Sequence, residues 1–257
     1  GGFASFSGGS VKVDTDSHIK SNDFHLLAGP GLRVNHGGNG KTDFGVFFEA
    51  GWGNYDAFNS FFRGDGDTRY HGGGLLLRHD TCFGLYGELS ARAGAARSGY
   101  ASGFDTDYDL KSAYYGGHIG IGHIFRPSEA NAVDLFAKGL WTRLEADSDI
   151  NRIGDRMHVD KTDSLRTQLG VKYSHNFGRS ASVFVKTAWE YEHDGKTGGS
   201  YAGGVAIRKA NMGGSSGLGE VGVDLRINDR ASLGASVHGV VGARRGFGGN
   251  LSVSFGF

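Results

Sequence analysis

The stretch that decides the fold is the last one, Gly249-Asn-Leu-Ser-Val-Ser-Phe-Gly-Phe257. Leu251, Val253, Phe255 and Phe257 alternate with Ser252, Ser254 and Gly256, so an extended chain here has one apolar face and one small, polar face. Such a strand meets two different solvents. It also ends on a bare aromatic residue, which leaves an unpaired edge unless another strand covers it. Pairing it with the first alternating segment, Phe3 to Val13, closes the sheet and brings the termini together. The expectation is an all-β chain folded as a single antiparallel transmembrane β-barrel of the outer membrane, spanning residues 1–257.

Composition agrees. The chain has 47 glycines against 2 prolines, with 18 Phe, 10 Tyr and 3 Trp, which suits tightly packed strands and not a disordered linker. Basic and acidic residues balance at 27 each, so no overall field argues for a nucleic-acid partner. No apolar run approaches the roughly 18 residues that a membrane helix needs. A membrane-spanning form is therefore a closed barrel, the other structure that satisfies its backbone in lipid. Cys82 is the only cysteine, so no internal disulfide forms. No signal peptide opens at Gly1, and the barrel reading expects export information to lie upstream of it.

Working outward from the last stretch, about twelve alternating segments can be counted, an even number within the range of bacterial barrels. Their approximate cores are 2–12, 23–34, 43–55, 68–79, 83–96, 112–125, 132–146, 163–175, 181–193, 215–227, 231–244 and 249–257. Connections after even-numbered segments are short. Those after several odd-numbered ones are long and polar, with 98–111, 147–162 and 194–214 the largest. That asymmetry, periplasmic turns against extracellular loops, places both termini in the periplasm.

Charges fix the phase of each strand. In the ninth segment Val183, Val185, Thr187, Trp189 and Tyr191 share one face, while Lys186, Glu190 and Glu192 share the other. A slip of one residue would turn the charges into lipid, at roughly 2–4 kcal/mol for a basic residue at midplane. The same sorting puts Glu49, Glu88 and Arg92 on an inward face. It does so again for Lys138, Arg166 and Lys172, and for Glu220, Asp224 and Arg226. With Lys186 and Glu190 these are the expected lumen-lining residues. Trp52, Trp141 and Trp189 fall on the outward phase late in odd-numbered segments and form the expected outer aromatic girdle, with Phe44, Phe125, Tyr173 and Phe257 opposite. The fourth segment, Tyr70 to Arg78, does not alternate cleanly, and its faces stay unassigned.

Motifs for chemistry are weak. Gly217-Leu-Gly-Glu-Val-Gly222 matches a dinucleotide fingerprint, but it runs into an alternating strand where a helix is required. Asp105-Thr-Asp-Tyr-Asp109 opens like a calcium loop yet has Leu110 at the glycine position and Gly116 at the closing glutamate. The histidines form no ligand cluster, and neither a metal nor a cofactor is expected. Asp155, His158, Asp160, His193 and Asp194 could converge at a rim for acid-base work, but every long loop contains Asp, and solvated loops explain them. No catalytic residue is assigned.

Several stretches together resemble the translocator β-domain of autotransporters, the type V secretion family. They are Phe44-Gly-Val-Phe-Phe-Glu-Ala-Gly-Trp-Gly-Asn-Tyr55, Ser112-Ala-Tyr-Tyr-Gly-Gly-His-Ile-Gly120, Asp134-Leu-Phe-Ala-Lys-Gly-Leu-Trp-Thr-Arg143, Ala188-Trp-Glu-Tyr-Glu192 and Gly217-Leu-Gly-Glu-Val-Gly-Val223. The resemblance implies a twelve-stranded barrel that anchors an N-terminal passenger in the outer membrane of a Gram-negative bacterium and takes part in its export, with a linker helix threaded through the lumen. It further implies that Phe255 and Phe257 carry a signal read by the barrel-assembly machinery. Expected partners are outer-membrane lipid and lipopolysaccharide, that machinery, and the protein's own passenger and linker; a monomer is expected. The alternatives are a small passive porin and a rim-active barrel hydrolase.

Overall fold

The computed structural model describes residues 1–14, 18–58, 63–102, 107–150, 154, 156–201 and 205–256. Twelve strands close a barrel: β1 (Gly2–Asp14), β2 (His18–Asn35), β3 (Gly40–Phe58), β4 (Arg63–Thr81), β5 (Leu85–Ser102), β6 (Tyr108–Phe125), β7 (Asn131–Leu144), β10 (Thr162–Phe177), β11 (Ala181–Glu192), β14 (Gly214–Arg226), β15 (Ala231–Gly242) and β16 (Arg244–Phe255). The short strands β8 (Asp147–Ile150), β9 (Arg156–Val159), β12 (Lys196–Tyr201) and β13 (Val205–Asn211) lie in the connections.

Each barrel strand pairs antiparallel with its neighbour, and β1 pairs with β16 from Gly2 opposite Phe255 to Val13 opposite Arg244. The closure expected from the terminal stretch is therefore made, and no barrel strand keeps an unpaired edge. The Gly1 amine donates to the Gly31 carbonyl at 2.9 Å and the Gly31 amide donates back to Gly1 at 2.8 Å, which ties the N-terminus to the same end as the short turns. One of those turns is a 3-10 turn at Gly37–Asn39. This end is called the terminus end, and the opposite one the hairpin end.

The polar stretches expected to be long loops are mostly sheet. β5 and β6 continue to Tyr100 opposite Tyr108, β8 and β9 form a hairpin, and β12 pairs with both β9 and β13. Polar residues alternating with glycine or other polar residues leave no apolar period to read, and the pairing partners lie far apart in the chain. Between β15 and β16 only Ala243 intervenes, where a four-residue gap, 245–248, was expected. Gly242 turns the chain there with φ of 122° in the left-handed region, and a Cβ would lie 2.4 Å from the Ser215 carbonyl oxygen.

Register sorts the outward faces as the alternation predicts. Phe44, Val46 and Phe48 are exposed, and so are Leu165 and Leu169 and then Val183 and Val185. The fourth strand also resolves. Leu75 is exposed, whereas Leu76 turns inward beside Phe3 at the position of Gly45.

Candidate functional site

The lumen is the concave feature to which most strands contribute, and its two sides are built differently. From β3 round to β14 the inward face carries charges and aromatic rings together. Asp134, Lys172, Lys186 and Glu220 stand in one cross-strand row over β7, β10, β11 and β14. Two lysines directly opposite each other repel, and the flanking acids offset that. Lys186 Nζ lies 3.1 Å from Glu220 Oε2, and Lys172 Nζ lies 3.9 Å from the centre of the Phe184 ring. Glu88 is a second hub, with Lys138 Nζ at 2.5 Å, Arg78 at 3.3 Å and His118 at 3.4 Å.

Nearer the hairpin end, three buried carboxylates organise the wall. Glu49, 3% exposed, accepts from the Tyr114 hydroxyl at 2.7 Å and from Arg92 at 3.2 Å, and Arg92 also reaches Thr142 at 3.3 Å. Glu190, 1% exposed, accepts from Gln168 at 2.6 Å and from Arg244, and Arg166 sits 3.8 Å away. Glu192 takes the Ser164 hydroxyl at 2.6 Å and the Leu165 amide at 2.9 Å. Each of these carboxylates is matched by guanidinium, hydroxyl or amide donors, which offsets the cost of burying it.

Unlike the girdle residues, several aromatic rings on this wall turn inward. Phe47, Tyr86, Tyr114 and Phe136 are buried and inward. Each lies over a glycine of a neighbouring strand. A Cβ at Gly74 would be 2.5 Å from Phe47, one at Gly122 would be 2.4 Å from Tyr86, and one at Gly170 would be 2.3 Å from Phe136. This explains much of the glycine content, since a strand without side chains lets a ring lie flat against its backbone. The signal was present in the phase: Phe47 sits two residues from Glu49, Tyr86 from Glu88 and Phe136 from Lys138.

Across the lumen, the middle of β15, β16 and β1 carries mainly small side chains, flanked in the same phase by Phe3, His238 and Val240. In phase with Ser5 and Ser7 on β1 stand Asn250, Ser252 and Ser254 on β16, followed by Ser232, Gly234 and Ser236 on β15. Their hydroxyls bond laterally, Ser5 to Asn250 at 2.7 Å and Ser232 to Ser254 at 2.6 Å. Between this bare wall and the filled one lies a cavity of about 590 Å³, bounded by Ser5 and Ser7 on one side and by Glu49, Tyr70, Arg92 and Tyr114 on the other. A helix 10–12 Å across, rising 1.5 Å per residue, occupies roughly 120–170 Å³ per residue, so about one turn fits there.

The structure thus brings Glu49 and Arg92 together, joins Glu88 with Lys138, gathers Arg166 and Glu190, and pairs Lys186 with Glu220. Asp224 and Arg226 share the phase of Glu220 and lie exposed at the terminus end of β14, opposite Gly234 and Ser232. The girdle residues Phe44, Trp52, Phe125, Trp141, Tyr173 and Trp189 are all exposed on the outward face. Phe255 is exposed and pairs with both Gly2 and Ala231, while Phe257 lies outside the described residues.

Among the rim candidates, His158 bonds Ser148 at 2.8 Å with Asp160 at 3.5 Å, and His193 bonds Thr167 at 3.0 Å. Asp155 and Asp105 lie outside the described residues. The segment Gly217 to Gly222 lies within strand β14, not at a helix start. Among the described residues no group of three or more His, Cys, Asp or Glu could hold a metal ion.

The Autotransporter beta-domain family model matches residues 1–238. Among solved structures, the transport unit of the autotransporter AIDA-I from Escherichia coli is similar at a TM-score of 0.79 and 13% identity, covering 100% of this chain and 90% of that one. The β-domain of the Bordetella autotransporter BrkA gives 0.78 at 14% identity, over 100% and 99% of the two chains. The translocator domain of NalP from Neisseria meningitidis gives 0.73 at 13% identity, over 100% and 88%. No curated protein sequence matches the chain.

Proposed function

This chain belongs to the autotransporter β-domain family and is an outer-membrane barrel for passenger export, and we propose that its bare wall is the surface along which the exported polypeptide and its linker run. The filled wall keeps the bore open and neutral. Its acids and bases are already matched to one another, so a passing chain of either sign meets little net field, whereas a selective ion pore favours one sign. The observation that carries this reading is the one-sided lumen, with its cavity of about 590 Å³ beside Ser5 and Ser7.

In this reading the terminus end is periplasmic and the hairpin end faces the medium, as short turns and long connections are arranged in such barrels. The lumen-lining acids and bases are structural and not catalytic, and the barrel performs no chemistry of its own. Phe255, with Phe257 after it, presents the assembly signal, and the barrel works as a monomer in lipopolysaccharide-bearing membrane.

Disulfide trapping tests the reading. With Cys82 replaced by serine, Ser7→Cys should cross-link to a cysteine placed in a linker preceding Gly1, and a cysteine at Lys172 should not. Equal trapping at both positions would mean that the polypeptide has no preferred wall.

A further inference from the structure

The wall of the barrel does not end at one level. Rows of paired residues climb toward the hairpin end as they pass round it. The row that leaves β7 at Asn131, opposite His175 on β10, comes back to β7 where the Glu145 amide donates to the Ala113 carbonyl. This is the tilt of the strands, and it lifts the top of the wall by about 3 Å for each strand passed from β16 through β1 toward β4. On the other flank β12 and β13 carry the sheet upward past β11 and β14, and the seven residues of β13 reach roughly 20 Å further. Between these flanks β15 passes into β16 through Ala243 alone. Among the described residues this turn is the lowest part of the rim, and it stands above two of the three strands of the bare wall.

The turn is tied down. The Ala243 amide donates to the Ser215 carbonyl at 2.8 Å, the Arg244 amide donates to the buried Ser216 hydroxyl oxygen at 3.1 Å, and the Arg244 guanidinium donates to the buried Glu190. The hairpin that could raise the rim here is held on β14 and β11 instead. The inward face below it is also kept clear. β16 has Gly248 and Gly246 between Asn250 and Arg244, and β1 has Gly9 opposite Gly248. The His238 ring lies against Gly248, where a Cβ would be 2.7 Å from Nε2.

Every residue that a mobile chain keeps inside a wall gives up conformational freedom, so an emerging polypeptide leaves where the wall is shortest. We propose that the exported polypeptide passes out sideways over the Gly242–Arg244 turn, and that this notch is the exit port of the barrel. Its occupant is the protein's own chain in transit, one strand or one helix wide. The ties to β14 and β11 serve the port, because a turn free to rise would close it. The port rests on the reading given above, in which the exported chain runs along the bare wall.

Disulfide trapping in the full precursor, with Cys82→Ser, tests the port. Three barrels are compared: Ala243→Cys in the notch, Ser148→Cys on the exposed high wall across the bore, and Ser7→Cys within it. Each is paired in turn with cysteines placed along the exported segment, over about fifteen residues beyond the position that traps at Ser7, enough to reach past the rim even as a helix rising 1.5 Å per residue. The best pair at Ala243→Cys should trap about fivefold or more above the best pair at Ser148→Cys, because trapping follows local effective concentration. Folding is read from heat-modifiable gel migration. If Ala243→Cys fails to fold, Arg245→Cys, exposed on the outer lip of the same turn, takes its place. Equal or stronger trapping at Ser148→Cys, or none at the turn, with Ser7→Cys still trapping, overturns the port and leaves the bare-wall reading standing. Loss of the Ser7→Cys trap overturns that reading, and the port with it.

Discussion

The two sides of the lumen are made from the same alternating strands, yet they differ in nearly every physical respect. From β3 to β14, rings lie on glycines and buried acids such as Glu49 and Glu190 hold their bases. Along the middle of β15, β16 and β1, serine, asparagine and glycine leave the backbone thinly covered, between Phe3 toward one end and His238 and Val240 toward the other. Strand number sets the circumference of a barrel, but which wall is furnished sets where the open space lies.

The comparison breaks most visibly if the bare wall can be filled without consequence. Ser5→Arg/Ser7→Arg places two long side chains in the cavity of about 590 Å³. Surface display of a passenger should fall by about tenfold or more, since each arginine occupies space that a helix turn of roughly 10–12 Å diameter requires. The barrel should still fold, as judged by gel migration, because both positions face water. Undiminished display would show that the bore runs elsewhere.

On the furnished wall the expected effect is on stability. Glu190 is 1% exposed and faces Arg166 and Arg244 together. Glu190→Ala leaves two guanidiniums facing a void and should cost about 3–5 kcal/mol. Urea unfolding in detergent measures this directly. Ser252→Ala, on the other wall, should change the same quantity little, and equal losses at both sites would erase the distinction between the walls.

How much of this was legible in the sequence follows from what alternation can encode. Leu251, Val253 and Phe255 against Ser252 and Ser254 declare a strand with unlike faces, and the closing pair with β1 follows from that. Charges mark the inward phase, and Glu49 and Glu190 stand buried on that face. Hydrophobicity alone, however, does not say that Phe47 and Phe136 turn inward, because their place depends on a glycine across the strand boundary. The fourth strand failed for the same reason: Leu75, Leu76 and Leu77 carry no period, and Leu76 packs inward beside Phe3. The hairpins β8–β9 and β12–β13 were hidden by polarity, and the pairing of β9 with β12 joins residues about forty positions apart.

The ring-on-glycine packing gives a sharper, smaller test of the furnished wall. At Gly170 a Cβ would lie 2.3 Å from the Phe136 ring and 2.8 Å from the Ala188 Cβ. Gly170→Val must therefore displace a ring that is itself packed, at about 1–3 kcal/mol. Gly219 has open space around the Cβ position, and Gly219→Ala should be close to neutral. A melting temperature equally lowered by both would mean that the cost comes from strand propensity and not from the ring.

The smallest effect belongs outside both walls, at the hairpin end, where Arg97 and Asp109 pair in the open. Hydrogen bonds from the Arg97 guanidinium hold the Asp109 carboxyl below its ordinary range, with the positive charge adding to them. A carboxyl whose folded value is depressed contributes stability above its unfolded value near 3.8, and that contribution fades as the pH falls through the lower, folded value. Asp109→Asn should therefore melt slightly below the unsubstituted chain at neutral pH, with the difference shrinking as the pH drops below about 4. Because the pair is exposed, moderate salt should shrink it too. A difference that grew on acidification would mean that this carboxyl is destabilised in the fold, the reverse of the arrangement at Arg97.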